Sequence, residues 1–145
     1  MELINFDVNK NLEELEHNAD TGRRSILVAR GNPMRKKPVK DLSVSDLRLM
    51  IGQNSSLKFL VPLAIQHLHV NALIKGDTYE GDLLNAVLTV EKKFWLEDLK
   101  GCIPMLESIV EIALASANVK PAEYGKFLQH FNGAINIFKM NVGII

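Results

Sequence analysis

The spacing of apolar residues predicts helices along most of the chain. Apolar side chains recur at three- and four-residue intervals, which is typical of a helix with one buried face. No alternating pattern indicates a strand. The predicted helices are, in chain order, 10–17, 44–51, 57–73, 82–88, a short helix carrying Phe94 and Trp95, 103–117 and 121–138.

Local signals at the helix ends support this division. Ser43 can cap the helix that follows it, with Asp46 near the positive helix end. Thr89 is expected to cap the short helix with Trp95, and Pro121 to open the last helix. Pro62 lies inside a predicted helix, removes one backbone donor and predicts a kink.

The first forty residues are distinguished by their charge, first acidic and then basic. An acidic helix at 10–17 is followed by residues 21–40, which hold seven Lys and Arg and no acid and are interrupted by glycines and prolines. This composition predicts an extended basic arm over residues 21–41, in which 26–29 could form a short strand or dock on the core. The arm could neutralise the protein's own acidic helix or contact phosphates.

Composition and charge narrow the class of protein. The 145 residues carry seventeen Lys and Arg against seventeen Asp and Glu, so the net charge favours neither nucleic acid nor membrane. A single cysteine, Cys102, suits a reducing compartment. The N-terminus lacks a signal-peptide pattern, and the apolar run 103–117 contains Glu107 and Glu111, so we expect a cytoplasmic protein. The fold class we predict is all-α: one domain over residues 1–145, a compact bundle of about six to seven helices with the basic arm.

Candidate catalytic and metal-binding groups do not assemble into a site. His67 and His69 are two residues apart, which places them on different faces of a helix. Cys102 has no partner motif and fits a small buried residue. Asp77 to Asp82 resembles a calcium loop, but Tyr79 stands where an oxygen ligand is needed. We therefore expect a protein that is not an enzyme and has no metal or cofactor.

Acidic and aromatic residues follow the third predicted helix. Asp77, Glu80 and Asp82 are continued by Glu91, and by Glu97 and Asp98, with Tyr79 and Trp95 as aromatic anchors if they are exposed. Exposed aromatics among acids suit a partner with a basic cleft. In the other interpretation Tyr79 and Trp95 are core residues and the acids form a solvated face.

Three runs resemble the immunity proteins of bacterial contact-dependent growth inhibition (CDI) systems. They are RKKPVKDLSVSDLRLMIGQN at 35–54, LKFLVPLAI at 57–65 and GDTYEGDLL at 76–84. The resemblance covers about residues 30 to 96. The chain departs from the usual pattern at Ser56, near which a glycine is common, and at Thr78, near which an aromatic is common.

The resemblance implies a function. Such proteins bind the C-terminal toxin domain of a surface adhesin, often a nuclease, and here we expect an RNase whose active site is blocked. A nuclease holds phosphates in a positive cleft, which carboxylates could occupy. The predicted toxin-binding residues are Asp77, Tyr79, Glu80, Asp82, Glu91 and Trp95. The alternative is a helical nucleic-acid-binding regulator that uses residues 23–40.

Overall fold

The computed structural model describes residues 4–18, 33–97 and 99–143, and within them the fold is all-α. Short 3-10 turns at Pro33–Lys36, Val39–Asp41 and Lys100–Cys102 connect the helices. The helices are α1 Leu12–Asn18, α2 Val44–Gly52, α3 Leu57–Val70, α4 Asp82–Leu88, α5 Lys92–Leu96, α6 Ile103–Val119 and α7 Gly125–Val142. This agrees with the predicted fold class and with the number of helices.

The cap predicted at Ser43 is present. The Ser43 hydroxyl accepts a hydrogen bond from the Asp46 amide at 3.0 Å, and the Asp46 carboxylate accepts one from the Ser43 amide at 3.0 Å. Burial opposes ionisation of Asp46, but these bonds and Lys37, at 3.6 Å, leave its pKa below the ordinary value. This reciprocal pair satisfies two groups that every helix start leaves open.

Three predicted helix ends are wrong, each for a local reason. The Thr89 hydroxyl donates to the carbonyl of Ala86 at 3.0 Å and so closes α4 instead of capping α5. Pro121 lies in a turn, and α7 begins at Gly125. Helix α3 ends at Val70, because Asn71 has extended backbone and its side chain accepts a hydrogen bond from the Leu73 amide.

Helix α4 lies at the centre of the fold. It contacts α2, α3 and α7, and its contact with α7 is the most extensive between any two described elements. Trp95 of α5 is 0% exposed: its indole N–H donates to the Val90 carbonyl at 3.1 Å, and its ring meets Phe138 of α7 edge to face at 5.3 Å. Helix α7 therefore closes the core over α4 and α5.

Helix α6 buries one narrow face. Leu106, Ile109 and Ala113 are buried and Val110 is half-buried, whereas Leu114 is exposed. One helical step of about 100° carries Leu114 past the buried stripe. Lys100–Val119 is long and apolar enough to cross a membrane by length and composition alone, a test that core helices of soluble proteins also pass.

The basic stretch is only partly described, and the described part is not extended. Residues 19–32 lie outside the described residues, and with them the predicted strand or docking segment at 26–29. Residues 33–41 instead form two 3-10 turns. Arg35 is 2% exposed and forms an ion pair with Glu16 of α1. For this residue the expectation that basic groups neutralise the protein's own acidic helix is confirmed.

Ser56 completes this buried ion pair. Its hydroxyl donates to Glu16 at 2.7 Å and accepts from Arg35 at 2.9 Å. Its φ of 53° lies in the left-handed region, which glycine enters without a steric penalty. A glycine would adopt this conformation freely, whereas the serine adds a hydrogen-bonding bridge between Glu16 and Arg35.

We expect Ser56→Ala to destabilise the fold by about 2 kcal/mol, because it removes the hydroxyl that hydrogen-bonds to both charged side chains of the buried ion pair. Ser56→Gly loses the same hydroxyl but removes the backbone strain, so it should be about 1 kcal/mol more stable than Ser56→Ala. Urea unfolding of both variants measures the difference. Equal stability of the two would contradict the importance of the left-handed backbone.

We expect Phe138→Ala to cost about 3–5 kcal/mol of unfolding free energy, since it removes a buried ring from the contact with Trp95. Met140→Ala is the matched control in the same helix: Met140 is exposed, so the change should stay within about 0.5 kcal/mol. Denaturant unfolding followed by Trp95 fluorescence compares them. A small effect of Phe138→Ala would show that α7 does not close the core.

Candidate functional site

Three of the acidic and aromatic residues singled out in the sequence, Asp77, Tyr79 and Glu80, lie in the loop of residues 75–81 between α3 and α4. Its two ends are joined by an antiparallel bridge between Lys75 and Glu80. The Gly81 amide donates to the carbonyl of Ile74 at 3.3 Å. The loop is thus closed at its base and projects its middle residues outward.

Asp82, the first residue of α4, holds the loop in place. Its carboxylate accepts hydrogen bonds from the backbone amides of Gly76, Asp77 and Thr78 at 2.6, 2.8 and 2.8 Å. The Nε atom of Arg48 on α2 lies 3.7 Å from the same carboxylate. The Thr78 hydroxyl donates to it as well, at 3.3 Å, so four hydrogen bonds from the loop and one positive charge from α2 converge on one side chain.

These hydrogen bonds and the charge of Arg48 lower the pKa of Asp82. Burial is the largest single influence and acts to raise it, but the three amide bonds and the charge of Arg48 together lower it below its ordinary value of 3.8. The carboxylate is therefore ionised at neutral pH although it is 1% exposed.

Two glycines are required by this packing. Gly81 has a φ of 90°, and a Cβ atom placed there would lie 2.4 Å from the ring of Phe127. A Cβ at Gly76 would lie 2.8 Å from the Cβ of Arg48. Both glycines let the loop approach neighbouring helices more closely than another residue would allow.

Tyr79 links the loop to α7. Its ring is half-buried and stacks on His130 with ring centroids 5.4 Å apart. Its hydroxyl oxygen accepts a hydrogen bond from the Asn85 amide at 3.1 Å, and the same amide reaches the Phe127 carbonyl at 3.4 Å. The loop is therefore held in place by contacts with both α4 and α7.

The structure separates the predicted site residues into two groups. Asp77 and Glu80 are exposed on the loop beside Tyr79, and Glu91 is exposed beyond the far end of α4. A seven-residue helix spans about 10 Å, so Glu91 lies apart from the loop. Trp95 is in the core, as the second interpretation held, and Asp82 is likewise buried with its carboxylate occupied by the loop, so neither side chain is exposed to a partner.

Sequence reasoning missed Arg48, Asn85, Phe127 and His130 as partners of the loop. Asn85 carried a weak signal, since it is a polar residue inside the apolar run of a short helix. Arg48, Phe127 and His130 looked like ordinary members of amphipathic helices, and only the packing of those helices brings them to the loop.

The described residues also bear on three other kinds of site: a metal site, a reactive cysteine and a nucleic-acid-binding surface. They contain no group of three or more His, Cys, Asp or Glu placed to hold a metal ion. Cys102 is buried, and burial raises the pKa of its thiol, which disfavours the thiolate needed for reactivity. Arg35 is buried against Glu16, so it is not available to phosphates as the nucleic-acid-binding alternative would require.

We expect Asp82→Asn to destabilise the protein by at least about 2 kcal/mol at pH 7, since an amide N–H₂ would face backbone donors. The lowered pKa of Asp82 means that its contribution is present above the ordinary value of 3.8 and is lost as the pH falls through the lower folded value. The stability gap between wild type and variant should therefore narrow from pH 7 to pH 3. Urea unfolding at both values tests this, with exposed Asp77→Asn as the control, and a constant gap would contradict it.

Comparison with known proteins places the chain in a family. A family model described as CDI immunity proteins matches residues 11–102, which is more than half of the chain. The matched segment includes the loop, Arg48 and Asp82, whereas α6 and α7 lie beyond it. Searches of curated proteins and of solved structures found no match. With a match of this extent over the segment that builds the loop, the chain belongs to the CDI immunity proteins.

Proposed function

We propose that this immunity protein binds the C-terminal toxin domain of a surface adhesin, that the toxin is a nuclease, in particular an RNase, and that binding blocks its active site. Membership in the family implies the broader function, neutralisation of a cognate toxin. The observation that carries the finer proposal is the loop of residues 75–81, which presents exposed carboxylates on a backbone that buried groups hold in one conformation.

The charge of the loop fits a nuclease. Enzymes that cleave nucleic acid bind phosphates with positive groups. Asp77 and Glu80 are exposed and could take the place of phosphates in such a cleft. Glu91 is exposed beyond α4, apart from the loop, and a toxin that covers more than the loop would contact it there.

The fixed backbone supports tight binding. A flexible loop loses conformational entropy when it binds, and that loss reduces affinity. Here the loop is already ordered by Asp82, Arg48 and Asn85, so most of this entropy is lost during folding. Tyr79 adds an aromatic surface of the kind that often contributes most to interfaces.

The site of action follows from the proposed target. An RNase delivered by a neighbouring cell harms the recipient where its RNA is, so the immunity protein would act in the cytoplasm. CDI immunity proteins are typically soluble within the cell, which agrees with this proposal.

We expect the double variant Asp77→Lys, Glu80→Lys to bind the toxin domain encoded immediately upstream at least about tenfold more weakly, mainly through a slower association rate. The control is Glu107→Lys, Glu111→Lys, which reverses two exposed charges on α6. Surface plasmon resonance with an inactivated toxin gives both rate constants, and an RNA-cleavage assay gives inhibition.

The outcomes separate the parts of the proposal. Equal affinity of the loop variant and wild type would place the toxin contact elsewhere. A toxin that cleaves no nucleic acid would overturn the nuclease assignment. If the toxin stays fully active in an excess of wild-type protein, the protein does not neutralise it, and the whole proposal is overturned.

A further inference from the structure

An open cleft of ≈ 500 Å³ lies between the loop and the start of α7. Lys75, Tyr79 and Glu80 form one wall, and residues 122–127 with Gln129 form the other. The volume lies within the range of small binding pockets. The loop wall belongs to the segment matched by the family, whereas the α7 wall lies outside it, so the family pattern does not assign this cleft.

The two walls of the cleft are joined by buried groups, one of which, Asn85, does not itself line the cleft. Asn85 is 6% exposed, and its amide donates to the Tyr79 hydroxyl and to the Phe127 carbonyl, one group from each wall. The close packing of Phe127 on Gly81 joins the same walls. The cleft therefore exists before any partner binds, and its shape does not depend on flexible side chains alone.

Hydrogen-bonding capacity remains on the loop wall of the cleft. The Tyr79 oxygen accepts from Asn85, which leaves the hydroxyl proton of Tyr79 available to a partner.

The charges around the cleft indicate what it accepts. Lys75 and Lys126 balance Glu80 and Glu123, so the rim favours neither a cation nor an anion. Between the charges lie the half-buried rings of Tyr79 and Tyr124. An aromatic lining inside a mixed polar rim is the arrangement found around an apolar anchor residue at a protein interface.

We propose that this cleft receives one large apolar side chain of the toxin, with a polar group of the toxin beside it that accepts the Tyr79 hydroxyl proton. The proposal rests on the proposed function, since Tyr79 and Glu80 belong both to the cleft and to the toxin-binding loop. A toxin that contacts the loop would also cover the cleft.

Two glycines of α7 provide a matched test. A Cβ added at Gly125, on the cleft wall, or at Gly133, outside the cleft, meets nothing within 4 Å, so both positions accept a side chain. Gly125→Phe fills the cleft, whereas Gly133→Phe adds the same side chain to the same helix elsewhere. Isothermal titration calorimetry would measure Kd against an inactivated form of the toxin domain encoded immediately upstream, and thermal unfolding would monitor the fold.

We expect Gly125→Phe to raise Kd at least tenfold and Gly133→Phe to change it less than threefold, with unfolding temperatures no lower than that of wild type. Tyr79→Phe, which removes the hydroxyl and keeps the ring, should raise Kd severalfold. If Gly125→Phe binds the toxin as tightly as wild type, the cleft does not receive a toxin side chain, and the proposed neutralising function still stands. If the wild-type protein does not bind the toxin, the role of the cleft and the proposed function are both overturned.

Discussion

The carboxylate of Asp82 is removed from water, and the loop before it is folded around it. Transfer of a charge into a protein interior is unfavourable unless donors replace the lost water. Three consecutive amides and the Thr78 hydroxyl supply those donors, and Arg48 adds a positive charge, so the loop backbone directs its amides inward. The outward direction of the Asp77 and Glu80 side chains follows from this constraint.

The same constraint connects three helices. Asp82 begins α4, Arg48 belongs to α2, and Gly81 lies against Phe127 of α7. A displacement of any one of these helices would disturb the loop. The surface that we propose for toxin binding is therefore coupled to the stability of the bundle, in contrast to a loop that is merely attached to it.

A second buried charge network performs a similar task near the N-terminus. Glu16, Arg35 and Ser56 join α1 to the turn between α2 and α3. Breaking a buried ion pair is costly because the remaining partner is left unpaired. Both networks use residue types that usually face solvent, so each restricts the chain to one arrangement where apolar packing alone would allow several.

The sequence by itself determined the helices and the place of the loop. Apolar spacing predicted all seven helices found among the described residues, and the Ser43 cap was correct to the residue because capping depends on groups within one turn. The helix boundaries near Asn71, Thr89 and Pro121 were predicted wrongly, because several local hydrogen-bonding patterns compete at these positions. The loop residues Asp77, Tyr79 and Glu80 were found from composition and from family resemblance.

Only the tertiary structure decided which of those residues are available to a partner. Asp82 and Asp77 are both acids of one short segment, yet one is buried and the other exposed, because burial depends on Arg48 and the loop backbone, not on residue type. Trp95 entered the core because α7 covers it with Phe138, a residue 43 positions away in the sequence. Contacts between distant helices leave no mark on local periodicity, so the wall that α7 contributes to the cleft could be found only in the folded chain.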